Sequence, residues 1–173
     1  MQYRLATKED LPQICRLVKS AIEHMQNQGI DQWDELYPTA KDFENDINQN
    51  ALYAAVDGDK IIGVYVINQD CDEEYHACTW QNPSQTACIL HRLCLLPDYQ
   101  HKGMGSEILS QIHAQAKSMG YSSIRLDVFS KNNRALKLYE KHGYQRRGSA
   151  HWRKGLFYIL EKTLFANGRC PAF

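Results

Sequence analysis

A chain of 173 residues, 43% hydrophobic and 23% charged, has the size and composition of one soluble globular domain. Lys plus Arg and Asp plus Glu number 20 each, so the formal net charge is zero and no global field draws the protein to nucleic acid or to an anionic membrane surface. Met1-Gln2-Tyr3-Arg4 begins no apolar signal core, and no run approaches the ~18 residues of a membrane span, so a cytoplasmic protein is expected.

Tyr3 to Ala6 is a short strand candidate, and Thr7 with Asp10 three residues on has the form of a capping box at a helix start, with Pro12 in the first turn. Leu11, Ile14, Leu17, Val18, Ala21, Ile22 and Met25 recur at helical spacing and give that helix one apolar face. Gly29 to Trp33 breaks the pattern, and Pro38 with a Thr39 cap leads into a second helix through Phe43 and Ile47. Leu52 to Val56 and Lys60 to Ile67 flank Asp57-Gly58-Asp59 and predict a hairpin. Residues 68 to 85 are longer and more polar than a hairpin needs, with Asp70, Asp72, Glu73 and Glu74 ahead of Trp80 and Pro83; a solvated acidic loop is expected.

Ile89 to Leu95 predicts the next strand, followed by a helix with Ile108, Leu109, Ile112, Ala116 and Met119 as its buried stripe and Gly120 as its stop. Ile124, Leu126 and Val128 alternate as a strand, and the order strand, helix, strand implies a parallel pair with a right-handed crossover. Residues 132 to 142 predict a short helix ending at Gly143. Tyr144 to Gly148 and Leu156 to Leu164 then close the sheet as a hairpin, and Phe165 to Phe173 is expected to be a loosely held tail.

The most informative stretch is Leu93 to Gly105, a strand end, a turn at Pro97-Asp98, and Gln100-His101-Lys102-Gly103-Met104-Gly105 at a helix start. The first N–H groups of a helix have no partner within it, and glycines there let an anion approach without Cβ obstruction. Such a junction suits a phosphate. A second block, N-N-R-A-L-K-L-Y-E-K-H-G-Y from Asn132 to Tyr144, lies one helix and one strand further on.

Together the two blocks resemble the GNAT superfamily of acetyl-CoA-dependent N-acetyltransferases. Its Q/R-x-x-G-x-G/A signature is matched by Gln100, Gly103 and Gly105, and its N-x-x-A-x-x-L-Y-E-K-x-G-Y/F block by Asn132, Ala135, Leu138, Tyr139, Glu140, Lys141, Gly143 and Tyr144. The resemblance implies a single N-acetyltransferase domain over residues 1 to 173, with its core in 2 to 164 and a tail from 165. It also implies a mixed, mostly antiparallel sheet of six or seven strands with helices on both faces. By the same resemblance the chain takes acetyl-CoA as co-substrate and passes the acetyl group to a primary amine of a small molecule or peptide by direct attack, as a monomer or homodimer.

The implied cofactor site comprises the backbone of Leu93, Cys94 and Leu95 for the pantetheine arm, and the junction residues Gln100, His101, Lys102, Gly103, Met104, Gly105 and Ser106 for the pyrophosphate. Asn132, Ala135 and Tyr139 belong to it as well. An N–H at Leu95 would stabilise the oxyanion of a tetrahedral intermediate. Tyr139 occupies the position of the general acid for the departing thiolate, a task that suits a phenol because it keeps its proton at neutral pH. Its alternative is a core tyrosine, and the alternative for Asn132 is a helix N-cap. The base that deprotonates the acceptor is His91, or Asp127, or a chain of waters with no single base.

Trp33 is the substrate-side candidate, with Asp31, Glu35, His151 and Trp152 as further pocket residues, although Trp33 also suits a core plug. Cys94 with His91 or His101 is the arrangement a cysteine nucleophile would need; its apolar strand favours a packed thiol. The six cysteines, at 15, 71, 78, 88, 94 and 170, contain no C-x-x-C pair, so no metal site is expected. Two rival functions remain open, a non-catalytic CoA-binding sensor or interaction module and a nucleotide-binding protein. The second lacks G-x-x-x-x-G-K-[ST] and the three-glycine dinucleotide fingerprint.

Overall fold

The computed structural model describes residues 1–81 and 86–165. Its seven strands lie in one sheet in the order β1-β2-β3-β4-β5-β7-β6, formed by Gln2–Leu5 (β1), Leu52–Asp57 (β2), Lys60–Asn68 (β3), Ala87–Leu95 (β4), Ser123–Phe129 (β5), Gln145–Trp152 (β6) and Gly155–Thr163 (β7). Among the described residues four α-helices accompany them: Leu11–Asn27 (α1), Ala40–Asn48 (α2), Met104–Ser118 (α3) and Asn133–Lys141 (α4). β4 and β5 pair in parallel, whereas β1 with β2, β2 with β3, β5 with β7 and β6 with β7 are antiparallel. This is the mixed, mostly antiparallel sheet the sequence implies. The chain resolves into two compact units, Met1–Ile67 with His91–Gly105, and Asn68–Leu90 with the residues from Ser106 onward.

In the first unit the apolar stripe of α1 buries Ile14, Leu17, Val18 and Ala21, and α2 adds Phe43 and Ile47. They share one core with Leu52, Ala54, Val64, Val66 and Cys94. Both helix starts follow local chemistry. The Asp10 carboxylate accepts the Thr7 N–H at 2.8 Å over a short 3-10 turn, and Thr39 caps α2 with Asp42 returning the bond to its N–H at 2.7 Å. The β2–β3 hairpin turns through Gly58 at φ 59°, a left-handed conformation that favours glycine.

In the second unit β5 buries Ile124, Leu126 and Val128 as the alternation predicts. Met119 departs from expectation. It is 45% exposed, because α3 ends at Ser118 and the chain turns away through Gly120 at φ 84° before Met119 can complete the stripe.

The described part of the 68–85 segment, residues 68 to 81, also corrects its expectation, since it is tied down rather than merely solvated. Tyr75, in a 3-10 turn at Glu73–Ala77, is only 2% exposed and shares a core cluster with Ile89, Ala150 and Ile159. Glu74 Oε1 accepts the Trp152 indole N–H at 2.9 Å, and a Cβ at Gly148 would stand 2.5 Å from the Cys78 sulfur. The fully buried Glu161 collects the Gln81 N–H at 2.8 Å, Arg125 at 3.3 Å and Arg147 at 3.2 Å, and Arg125 lies 3.8 Å over the Trp80 ring. A buried carboxylate needs such pairing, and satisfying it draws the segment onto the sheet. Pro83, Cys170 and the tail beyond Phe165 lie outside the described residues.

Candidate functional site

The strand end at Leu93–Leu95 is shaped by the residue before it. Arg92 has φ 50°, a left-handed conformation that a non-glycine residue holds only where its surroundings impose it. Here they do. The Arg92 guanidinium donates to both Asp46 oxygens at 3.1 and 2.9 Å, with the two side chains 15% and 8% exposed, and it sits 5.3 Å over the Tyr37 ring. β4 therefore bends between His91, which is half-buried, and Leu93. The Leu96 N–H donates to Ile62 O at 2.9 Å, and the parallel register between β4 and β5 covers only Ala87–Ile89 with Ser123–Arg125.

Beyond a 3-10 turn at Pro97–Tyr99, Gln100 Nε2 donates to Leu95 O at 3.0 Å, folding the junction back on its strand. His101 at φ 64° and Gly103 at φ 78° are both left-handed and exposed just before α3 begins at Met104. Alternating left-handed turns of this kind aim successive N–H groups in one direction. A Cβ built on Gly103 meets nothing within 4 Å, so the backbone there lies open to a ligand. The junction thus fits a pyrophosphate in charge and in clearance. Lys102 stands 6.0 Å from the Tyr99 ring centroid and is exposed; Met104, Gly105 and Ser106 are half-buried in the first turn.

Cys94 is 5% exposed, and burial pushes its thiol up to about 12. A thiol so buried is a packed core group rather than a nucleophile. Among the described residues no three His, Cys, Asp or Glu side chains gather as metal ligands.

The second unit holds the other candidates. Tyr139 on α4 is 8% exposed and its ring packs against Tyr144 at 5.4 Å. Burial, and then the charge of Asp127, push its phenol well above the ordinary range, so it carries its proton throughout the physiological range. Asp127 on β5 accepts a hydrogen bond from the Tyr75 hydroxyl at 2.9 Å. Asp127 and Tyr139 are electrostatic neighbours.

Asn132 is the N-cap of α4, its Oδ1 accepting the Ala135 N–H at 3.1 Å. Trp33 is half-buried against the core of the first unit, in keeping with a core plug. Asp31, Glu35 and His151 are exposed. Sequence reasoning missed Arg92, Asp46 and Tyr75. The partners stand 46 and 52 residues apart, and no short-range pattern marks them.

Behind Tyr139, Tyr144 pairs its hydroxyl with His113 Nε2 at 3.1 Å. Burial, reinforced by the charges of Lys162, His142 and Lys117, lowers His113 to about 4 from its ordinary 6.5. His113 is then neutral in both folded and unfolded chains above pH 6.5. Between about 6.5 and about 4 the unfolded chain takes up a proton that the native state refuses, so stability falls as pH falls. His142, also lowered by burial, acts in the same direction. Denaturant unfolding at pH 7.5 and pH 5 is expected to show this loss, and His113→Gln to flatten it.

The acetyltransferase (GNAT) family model matches residues 19–144. The uncharacterised N-acetyltransferase YycN of Bacillus subtilis (strain 168) is 37% identical over 65 residues, 38% of this chain and 41% of that protein, so the chain matches less than half of this relative's length. A crystal structure from Staphylococcus aureus Mu50, of a protein classed as an acetyltransferase, shares 31% identity and a TM-score of 0.75 over 95% of this chain and 100% of that one. The PaiA N-acetyltransferase of Thermoplasma acidophilum, solved in complex with coenzyme A, shares the fold at a TM-score of 0.70 and 19% identity, over 94% of this chain and 98% of that one. A family model that matches residues 19–144 takes in well over half of the chain, and the chain belongs to the acetyltransferase (GNAT) family.

Proposed function

We propose that this chain is an acetyl-CoA-dependent N-acetyltransferase acting on a primary amine of a small molecule or peptide by direct transfer, as a single domain. The observation that carries this reading is the junction at His101 and Gly103, whose left-handed backbone stands directly ahead of α3, with open space around a Cβ at Gly103. The Thermoplasma fold neighbour, itself a coenzyme A complex, supports the same ligand. Acetyl-CoA supplies the activated acetyl thioester.

The chain's own groups divide the work. Residues 101 to 106 hold the pyrophosphate through backbone N–H groups and the α3 dipole, with Gln100 bracing the junction on Leu95 O and Lys102 adding charge. Leu93, Cys94 and Leu95 would hold the pantetheine arm by backbone hydrogen bonds, and the Leu95 N–H would stabilise the thioester oxygen as negative charge develops there. Asn132 and Ala135 border the arm at the start of α4, and Tyr139 gives a proton to the departing sulfur. Asp127 or His91 takes the proton of the incoming ammonium, and Trp33 contributes to the acceptor side.

Thiol release from acetyl-CoA across a panel of peptides, polyamines, aminoglycosides and amino acids tests the reading. Turnover with at least one class is expected. Tight coenzyme A binding with no transfer to any acceptor would replace it with a non-catalytic sensor, and preferential ATP or NAD binding would replace it with a nucleotide-binding protein.

A further inference from the structure

Tyr75 belongs to a segment whose composition reads as solvated, yet it is one of the most buried aromatic residues of its unit. It is 2% exposed, packs 6.0 Å from the Trp80 ring, and spends its one hydroxyl on Asp127 Oδ1 at 2.9 Å. A buried phenol needs a partner, but a backbone carbonyl would serve as well. This one is aimed at a carboxylate, giving a charge-assisted bond of the stronger kind. Burial and the neighbouring carboxylate keep the Tyr75 phenol well above its ordinary range, so it acts as a donor throughout.

We propose that Tyr75 is a positioning residue for deprotonation of the acceptor amine: its hydroxyl holds the Asp127 carboxylate by Oδ1 in one orientation, which makes the Glu73–Ala77 turn part of the acceptor side of the site. The inference rests on the reading of Asp127 as the base. In the step it serves, the acceptor ammonium gives its proton to Asp127, and the freed lone pair forms the C–N bond to the thioester carbonyl carbon. The C–S bond breaks with its electron pair on sulfur, which takes the Tyr139 hydroxyl proton; the nitrogen's second proton passes through solvent to the Tyr139 oxygen, leaving a neutral amide, and Asp127 releases the first proton to solvent. Asp127 is effective only if its carboxylate does not rotate between orientations during this sequence.

Groups near Asp127 come from the 73–77 turn, from α4, and from β5 and β7 of the sheet. Tyr75 reaches it from the 73–77 turn, where Asp72 and Glu74 are the neighbouring charges, and Glu74 is held by Trp152. Tyr139 faces it from α4. Arg125, two residues earlier on β5, is committed to Glu161, and Ile159 lies opposite on β7. Tyr75 donates directly to the carboxylate, and a hydrogen bond to the charged form of an acid favours that form.

Single and double variants test this with the best amine from the acceptor panel. Tyr75→Phe is expected to lower kcat by about 10–10²-fold, leave coenzyme A affinity unchanged, and move the acid limb of the kcat/KM profile to higher pH. Asp127→Asn is expected to lose more, and the double variant to be no slower than Asp127→Asn alone, because Tyr75 acts through Asp127. Carboxyl 13C titration of Asp127 reads the same coupling without any acceptor, and should move upward in Tyr75→Phe. Should Tyr75→Phe fail to fold, 3-fluorotyrosine placed at 75 preserves the packing, makes the phenol a stronger donor, and should move both the titration and the acid limb downward.

An inactive Asp127→Asn beside a Tyr75→Phe of normal rate, pH profile and carboxyl titration would overturn the inference and leave the base reading intact. Losses that multiply in the double variant would also overturn it. A fully active Asp127→Asn would remove the base reading, and the inference with it.

Discussion

Tyr139→Phe is expected to lower kcat by about 10²-fold, the lower end of the usual range for general acid catalysis, while coenzyme A affinity stays the same. The substitution keeps the ring, its burial and its edge contact with Tyr144 at 5.4 Å, and deletes only the hydroxyl. A purely structural tyrosine would lose about 0.5–1.5 kcal/mol of stability with that hydroxyl and no rate. The lower end applies because a thiolate leaves without full protonation more readily than an alkoxide, its conjugate acid having a pKa of ~8.5. Burial and Asp127 hold the Tyr139 phenol in its protonated form, so the donor is present over the whole working range and its loss is not mimicked by raising the pH to 8. The measurement is single-turnover acetyl transfer at saturating acetyl-CoA, which separates chemistry from product release. An unchanged rate in a folded variant would remove Tyr139 from the mechanism.

Gly103→Glu is expected to abolish coenzyme A binding, a loss of more than about 10²-fold by calorimetric titration. Two costs combine. The position has φ 78°, which costs a residue with a Cβ about 1–2 kcal/mol, and the new carboxylate brings negative charge to the start of α3, where the phosphates would sit. The added Cβ itself meets nothing within 4 Å, so the folded core is not overpacked and the variant should remain native. Gly103→Asn separates the contributions, since asparagine tolerates the left-handed region and carries no charge. It is expected to keep most of the affinity. Gly105→Glu should act like Gly103→Glu through charge alone, and part of either loss should be recovered at high salt. Unchanged affinity in folded Gly103→Glu would place the pyrophosphate elsewhere.

The places where the structure corrected the sequence share one cause. The acidic segment 68–85 looks solvated because four carboxylates lie within five residues, but local composition does not reveal that Glu161, eighty residues on, lacks a full set of partners until Gln81 reaches it. Met119 fits a helical stripe by spacing and is exposed because the helix has already ended. In each case the sequence carries the side chain's chemistry, and the partner is chosen by residues distant in the chain.

Periodicity and punctuation by themselves determined the existence and type of the main elements. The α1 stripe, the Thr39 cap, the hairpin around Gly58, the alternation of β5 and the glycine junction ahead of α3 are all local signals, because helix and strand periods and left-handed glycines are properties of short segments. The two motif blocks determined the family for the same reason: each is a short string whose backbone geometry needs those residues. Only the tertiary structure decided that β7 sits between β5 and β6 in the sheet, that Arg92 is held in a left-handed kink by Asp46 and Tyr37, and that Tyr75 meets Asp127. Strand order and long-range hydrogen bonds depend on which distant surfaces can be buried together without stranding a charge or a donor, a condition met by the whole chain at once and written in no single stretch of it.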